Sequence, residues 1–304
     1  MKGRIFLIVL LVVAAAIAGR WVTRMRSPHV SKQEETRQTG RLDSGARVEV
    51  SGINGSVEIG TADTDTAEVR VVRTASDADD LEYHKVIVEL TPSSVVVRGE
   101  GDNGRGFWRW LWGGGGNVKQ EVTLVVPRRV ELLTKGVNGP VNVGEVEGPV
   151  SVEGVNGRVE VAGASGHVSM KGVNGQVKFA VSRLGDEGME IKGINGNVEI
   201  RFKEQVNADI EVKGNNGGLT LNVPNVTMQE RESFSNMRAR LGTGGAQIEI
   251  KGVNGRILFE SAAPSSSAAT TTATTTTVRA PTAPTAPAAP SDDDDSEPPP
   301  PPAN

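Results

Sequence analysis

Seven copies of one turn, Gly-(Val/Ile/Asn)-Asn-Gly, punctuate the chain and limit what it can fold into. They stand at Gly52–Gly55, Gly136–Gly139, Gly154–Gly157, Gly172–Gly175, Gly193–Gly196, Gly214–Gly217 and Gly252–Gly255. From the second copy to the sixth the steps are 18, 18, 21 and 21 residues. A fixed period with one turn per unit signals a repeat architecture, whose units bury their apolar faces only against neighbours. Asn-Gly is a strong short-turn pair because both residues tolerate positive φ.

After each Asn-Gly the residues alternate. Apolar pairs fall at Val141 and Val143, Val159 and Val161, Val177 and Phe179, Val198 and Ile200, Leu219 and Leu221, and Ile257 and Phe259. Polar residues such as Arg158, Glu160, Lys178 and Glu199 fill the skipped positions. Period two is the signature of a strand with one face in and one out. A second strand lies midway between turns, at Val150-Ser151-Val152 and Val168-Ser169-Met170, so glycines 139, 148, 157, 166 and 175 are nine residues apart. An antiparallel meander and a β-solenoid both fit nine-residue strand-turn units. Identical register, alternating turn types and one Asn per unit favour the solenoid, because stacked Asn side chains form hydrogen-bonded ladders. The expected fold is therefore all-β, a β-solenoid of repeated 18–21-residue Gly-x-Asn-Gly coils, with Asn54, Asn138, Asn156, Asn174, Asn195, Asn216 and Asn254 as structural turn and ladder residues.

The period lapses in two places. Asn225 to Gly245 interrupts the last repeats; its polar stretch Met228 to Leu241 reads as a cap or lateral loop, with a short helix as one form it could take. Before the array, Ala67–Arg73, Val86–Leu90, Val95–Arg98 and Val118–Val126 are strand-rich but irregular. They read as a diverged part of the same β architecture covering an edge that would otherwise invite aggregation. The expected organisation is a signal sequence or N-terminal membrane anchor over 1–26 and a linker over 27–45. A diverged β section over 46–135 and the regular array over 136–260 follow, then a disordered tail over 261–304.

The ends carry the compartment signal. Ile5 to Gly19 is an unbroken apolar and small-residue run preceded by Lys2 and Arg4, the pattern of an export signal. Ala16-Ile17-Ala18 offers a cleavage site. Trp21, with Arg20, Arg24 and Arg26, would suit an uncleaved anchor reaching Val22. Either way the body is expected outside the cytoplasm, in the cell envelope, tethered to the inner membrane in the anchored case. The tail from Pro264 to Asn304 is Ser/Thr/Ala, Thr-Ala-Pro, four Asp and a Pro run, with too little apolar surface to offset the entropy of ordering. Arg279, Asp292–Asp295 and Glu297 account for the whole formal charge of −4. The body is thus near neutral, which argues against nucleic acid as a partner.

Chemistry is sparse. There is no cysteine, so disulfides, thiolate metal sites and Cys nucleophiles are excluded. His29, His84 and His167 are far apart in sequence. Gly99-Glu-Gly-Asp-Asn-Gly104 matches a dinucleotide fingerprint by chance, because no βαβ unit surrounds it. Paired acids such as Asp63 with Asp65, or Asp186 with Glu187, are what a glycosidase would need, but they sit in turn-like contexts. No catalytic, cofactor-binding or metal residue is assigned, and no cofactor is expected. One segment stands out: Phe107, Trp108, Arg109, Trp110, Leu111 and Trp112 gather three of the four tryptophans between glycines. Such a segment suits a contact loop for glycan, lipid headgroup or protein; a hydrophobic cap on the end of the array is the other reading.

Val125-Val126-Pro127, Val130-Glu131-Leu132 and the Gly-Val-Asn-Gly-x-Val-x-Val repeats resemble the bacterial putative-adhesin β-strand-repeat family, a domain of unknown function. The resemblance covers roughly residues 48–260. It implies a single-sided parallel β-solenoid or stacked-strand domain in exported or membrane-tethered envelope proteins, with no catalytic residues to carry over. The expected function is a non-enzymatic, membrane-tethered adhesin-like protein that binds a glycan or protein partner. A periplasmic scaffold or envelope-stress sensor spacer is the alternative, and a β-helical carbohydrate-active enzyme the least favoured. Open strand edges make self-association through the ends of the array a further expectation.

Overall fold

The computed structural model describes residues 31–76, 78–100, 118–231, 235–261 and 276–278. The export or anchor segment, residues 107–112 and nearly all of the tail lie outside the described residues. Among the described residues no helix is long and apolar enough to cross a membrane.

Among the described residues, twenty strands and one short helix, α1 (Ala78–Tyr83), make up the fold. The body opens with β1 (Lys32–Arg41), β2 (Ala46–Ser51), β3 (Gly55–Ala62) and β4 (Thr66–Ala75). After α1 come β5 (Val86–Thr91), β6 (Ser94–Gly99), β7 (Lys119–Pro127), β8 (Val130–Lys135), β9 (Val141–Val146) and β10 (Val150–Glu153). Two long strands follow, β11 (Val159–Lys171) and β12 (Val177–Asn195), then β13 (Val198–Phe202), β14 (Ala208–Lys213) and β15 (Leu219–Asn222). The chain closes with β16 (Val226–Arg231), β17 (Met237–Leu241), β18 (Ala246–Asn254), β19 (Ile257–Ser261) and β20 (Thr276–Val278).

All twenty strands hydrogen-bond into one sheet, which folds into two facing walls. One wall runs β5, β6, β2, β8, β10, then the second halves of β11 and β12, then β18, β14, β17 and β16. The other runs β1, β4, β7, β3, β9, then the first halves of β11 and β12, then β13, β19, β15 and β20. Because β11 and β12 belong to both walls, the sheet wraps continuously around its core.

The expected β-solenoid is therefore corrected to a single, nearly closed, barrel-like all-β sheet. Three observations overturn it. Strands run on through one set of corners instead of ending there. Stacking order also departs from chain order: β2 and β3 lie between β6/β7 and β8/β9, and β18/β19 lie between β12/β13 and β14/β15. Finally, antiparallel strands border the parallel ones, with β5 on β6, β4 on β7, β17 on β14 and β20 on β15. The physical cause is edge satisfaction, since each outermost parallel strand leaves a row of backbone groups that another strand can cover. The interruption at Asn225 to Gly245 supplies one such cover: β16 and β17 are an antiparallel hairpin, not a helix.

In the central part the 18-residue spacing is the parallel register itself, with Val150 opposite Val168 and Val159 opposite Val177. Alternation then sends every second side chain inward. Val48, Val50, Val57, Ile59, Val150, Val152, Val159, Ile191, Ile200 and Ile257 are all 0–1% exposed. Each such burial contributes about 1.5–3 kcal/mol. Phe202 and Phe259 stack with ring centroids 6.1 Å apart.

Thr134 breaks this pattern. It is fully buried between Val50 and Val152 on the flanking strands, and its Oγ1 has no hydrogen-bond partner. An unpaired buried hydroxyl costs stability that a methyl of similar shape does not. Thr134→Val is expected to raise unfolding stability by about 1 kcal/mol, measured by urea denaturation; a loss of stability would show that the hydroxyl has an unseen partner.

Candidate functional site

The turns align into one column of corners. The first Gly of each has φ between +61° and +67°, a left-handed conformation that glycine adopts without steric cost. The next residue turns inward: Ile53, Val137, Val155, Val173, Ile194 and Val253 are each 1% exposed. In the last stacked corner this position holds Asn215, which is 4% exposed with Oδ1 unpaired, its Nδ2 donating to the Gly217 carbonyl at 3.3 Å.

The third residue of each turn points out, and the structure brings all seven asparagines into one ladder. Asn138 Nδ2 donates to Asn54 Oδ1 (3.0 Å), Asn156 to Asn138 (3.0 Å), Asn174 to Asn156 (3.1 Å) and Asn195 to Asn174 (3.1 Å). Asn254 then donates to Asn195 (3.2 Å) and Asn216 to Asn254 (3.3 Å). Asn54 closes its end by donating to the Val118 carbonyl at 3.2 Å. Each interior amide uses one donor and its acceptor within the row, so the ladder is self-satisfied and offers little to a ligand.

A second row lies one residue before the turns. Lys171, Lys192, Lys251 and Lys213 occupy neighbouring strands in register, and Glu190, Glu249 and Glu211 stand two residues earlier. Like charges on adjacent strands repel, and the Glu column neutralises them. Lys171 Nζ lies 2.8 Å from Glu190 and Lys192 also pairs with Glu190. Lys192 lies 3.4 Å from Glu249, which Lys251 also contacts, and Lys213 lies 2.8 Å from Glu211. Hydrogen bonds from Lys171 and then Lys192 hold the Glu190 carboxyl down at about 2. Lys251 first, then Lys192, lowers Glu249, and Lys213 then Arg238 lowers Glu211. This row was missed from sequence, although Lys at 135, 171, 192, 213 and 251, each directly before a turn, was its signal.

A third feature is a groove of about 730 Å³ at the corner opposite the Asn ladder, lined by Arg41, Asp43, Asp63, Asp65, Arg128 and Arg129 among others. Arg128 reaches Asp63 at 3.0 Å and Glu145 at 2.9 Å, and Lys203 also contacts Glu145. Arg129 pairs with Glu147 at 3.1 Å. Asp63, a residue a glycosidase reading would need, is thus an exposed ion-pair partner. Glu187 lies 4.0 Å from His167 Nδ1. Among the described residues no three His, Asp or Glu side chains are grouped to hold a metal.

Phe107, Trp108, Arg109, Trp110 and Trp112 lie outside the described residues. Their anchors do not: β6 ends at Gly99 and β7 begins at Lys119. Gln120 Oε1 accepts from the Asn54 backbone at 2.9 Å, so the start of β7, which follows the aromatic segment in sequence, lies at the end of the parallel array where the Asn ladder begins.

No family model matches the sequence, and no curated protein matches it. The fold is similar to a putative cell adhesion protein of Clostridium sporogenes, at 10% identity and a TM-score of 0.39 over 76% of this chain and 100% of that one. It is also similar to a putative adhesin of Bacteroides fragilis, at 11% identity and a TM-score of 0.28 over 74% and 97% of the two chains. A putative lipid binding protein of Parabacteroides distasonis matches at 12% identity and a TM-score of 0.23, over 75% and 95%.

The charge rows fix an expected pH response. The Glu190, Glu249 and Glu211 carboxyls titrate lower folded than unfolded, so their stabilisation is complete above the ordinary value of 4.5 and is lost as pH falls below it, for Glu190 toward about 2. The melting temperature should therefore fall across that window by the modest amount that largely exposed ion pairs supply, as the Lys row loses its compensation. Glu190→Gln should melt lower than the parent at neutral pH and lose less on acidification. An equal acid response in both would remove Glu190 from the account.

Proposed function

We propose that the protein is a non-enzymatic, exported, membrane-tethered and adhesin-like component of the bacterial cell envelope. Its body positions the aromatic segment Phe107–Trp112 against a glycan or protein partner. The observation that carries this reading is where that segment is inserted. The described chain leaves β6 at Gly99 and resumes in β7 at Lys119, the outermost parallel strands of the two walls, where the fold presents an end instead of a repeating face. Surface tryptophans carried on a rigid scaffold are effective contact residues because they bring large area at low entropic cost. The charged side chains of the walls, by contrast, are largely engaged with one another. Lys2, Arg4 and the apolar run to Gly19 support export with an N-terminal tether, the body outside the cytoplasm.

The test compares the full chain with its Trp108→Ala, Trp110→Ala, Trp112→Ala triple variant for retention on fractionated envelope glycans and on intact cells. The variant is expected to lose about tenfold or more in retention with its melting temperature unchanged. Unchanged retention with a lowered melting temperature would assign the segment to a hydrophobic cap and overturn the reading. Protease treatment of intact cells against spheroplasts decides the compartment: cleavage in intact cells supports a surface role, and protection until the outer layer opens favours the scaffold alternative.

A further inference from the structure

All seven ladder asparagines precede glycine, the sequence context in which an asparagine side chain is most open to attack by the next backbone nitrogen, because glycine has no Cβ in the way. Yet the seven are not equivalent. Asn138, Asn156, Asn174, Asn195 and Asn254 each donate through Nδ2 to one neighbour and accept at Oδ1 from the other. For three of them the following glycine N–H is also bonded, Gly157 to the Asn174 carbonyl, Gly175 to that of Asn195 and Gly196 to that of Asn254, each at 3.0 Å. Asn54 accepts from Asn138 and donates to the Val118 carbonyl, and Gly55 is held within β3 against β7.

Asn216 is the last rung. Its Nδ2 makes the longest bond of the ladder, 3.3 Å to Asn254. Among the described residues no side chain donates to its Oδ1, and no further corner lies beyond it to accept from the Gly217 N–H. It is the one rung in which both the side-chain carbonyl and the attacking nitrogen are unrestrained, and it is exposed.

We propose that Asn216 is a spontaneous deamidation site, and that stacking protects the other six. The Gly217 backbone nitrogen gives up its proton and forms a bond to Asn216 Cγ. The Cγ–Nδ2 bond breaks, and ammonia leaves with that proton, which closes a succinimide. Solvent water then opens the ring at either carbonyl, leaving an aspartate or an isoaspartate; nothing is oxidised or reduced. The product puts a negative charge at the end of the ladder. It also replaces the donor facing Asn254 Oδ1 with an oxygen, so the last ladder bond cannot re-form.

The full chain, incubated at neutral pH, is digested and each Asn-Gly peptide is followed by mass spectrometry for the gain of about 1 Da that deamidation brings. Asn216 is expected to convert about tenfold faster than any other rung, since the others must first break ladder hydrogen bonds. In concentrated urea, where no ladder exists, the seven rates are expected to converge. Equal rates in the folded protein, or a faster interior rung, would overturn the proposal. So would a spread of rates that survives in urea, because local sequence would then be setting it.

Discussion

The structure depends on how closely one corner can sit on the next. A Cβ placed on Gly139 would meet the Gly55 carbonyl oxygen at 2.1 Å, and one on Gly175 would meet that of Gly157 at 2.2 Å. The same approach, glycine onto glycine, recurs from Gly55 along the column to Gly217. No side chain can be accommodated at such distances, so the fourth residue of the turn is glycine because of its neighbour and not only because of its own dihedral angles. Once corners stack this tightly, the strands on either side fall into parallel register, the inward residues form continuous apolar columns and the asparagines come within hydrogen-bonding distance. Register, core and ladder are consequences of one backbone contact.

That contact also explains what could and could not be read from the sequence. The strands of the regular part were legible because period-two alternation and a turn every unit leave few other folds for such residues. Stacking order was not, because the corners are interchangeable. Gly52–Gly55 fits beneath Gly136–Gly139 as well as any later copy would, and Gly252–Gly255 fits between Gly193–Gly196 and Gly214–Gly217. A repeat specifies that its units stack without specifying which unit stacks on which. The closure of the sheet was hidden for a related reason: β11 and β12 pass through a corner that looks like a turn, where Ala164, Ser165 and Gly166 stay paired with Val181, Arg183 and Leu184 across register shifts and residues 185–188 bulge out before pairing resumes at Met189.

The asparagines of the column are not there for their backbone freedom. Among the described residues the only non-glycine with positive φ is Asn225, so no ladder Asn uses the left-handed freedom that makes Asn-Gly a turn pair. The two glycines bear the backbone geometry, and Asn is selected as a side chain with matched donor and acceptor that can bond to its own copy. The bordering strands were least legible. β1, Lys-Gln-Glu-Glu-Thr-Arg-Gln-Thr-Gly-Arg, has no apolar alternation and is placed by pairing with β4 and by ion pairs such as Arg70 with Glu35 at 2.7 Å and Arg37 with Glu68 at 2.5 Å. β17 does alternate, with Met237, Ala239 and Leu241 buried, but five residues are too short a run to outweigh the polar sequence around them.

Repetition also constrains where recognition can reside. A wall made of equivalent strands presents the same side chains at a strand spacing of about 4.8 Å, so a partner bound at one register could bind as well one strand along. In the Lys171, Lys192, Lys251 and Lys213 row, moreover, the charges are committed to the Glu column beside them. Selective contact requires residues that occur once. Those lie where the repeat is broken: the groove around Arg128 and Asp63, the β16–β17 hairpin and the insertion between β6 and β7. Of these, the groove and the hairpin are already laced by internal ion pairs, Arg128 with Asp63 and Glu145, and Arg238 with Glu211 and Glu230. A partner docking there would have to displace these charge pairs, and each displaced pair subtracts from the affinity the contact could gain.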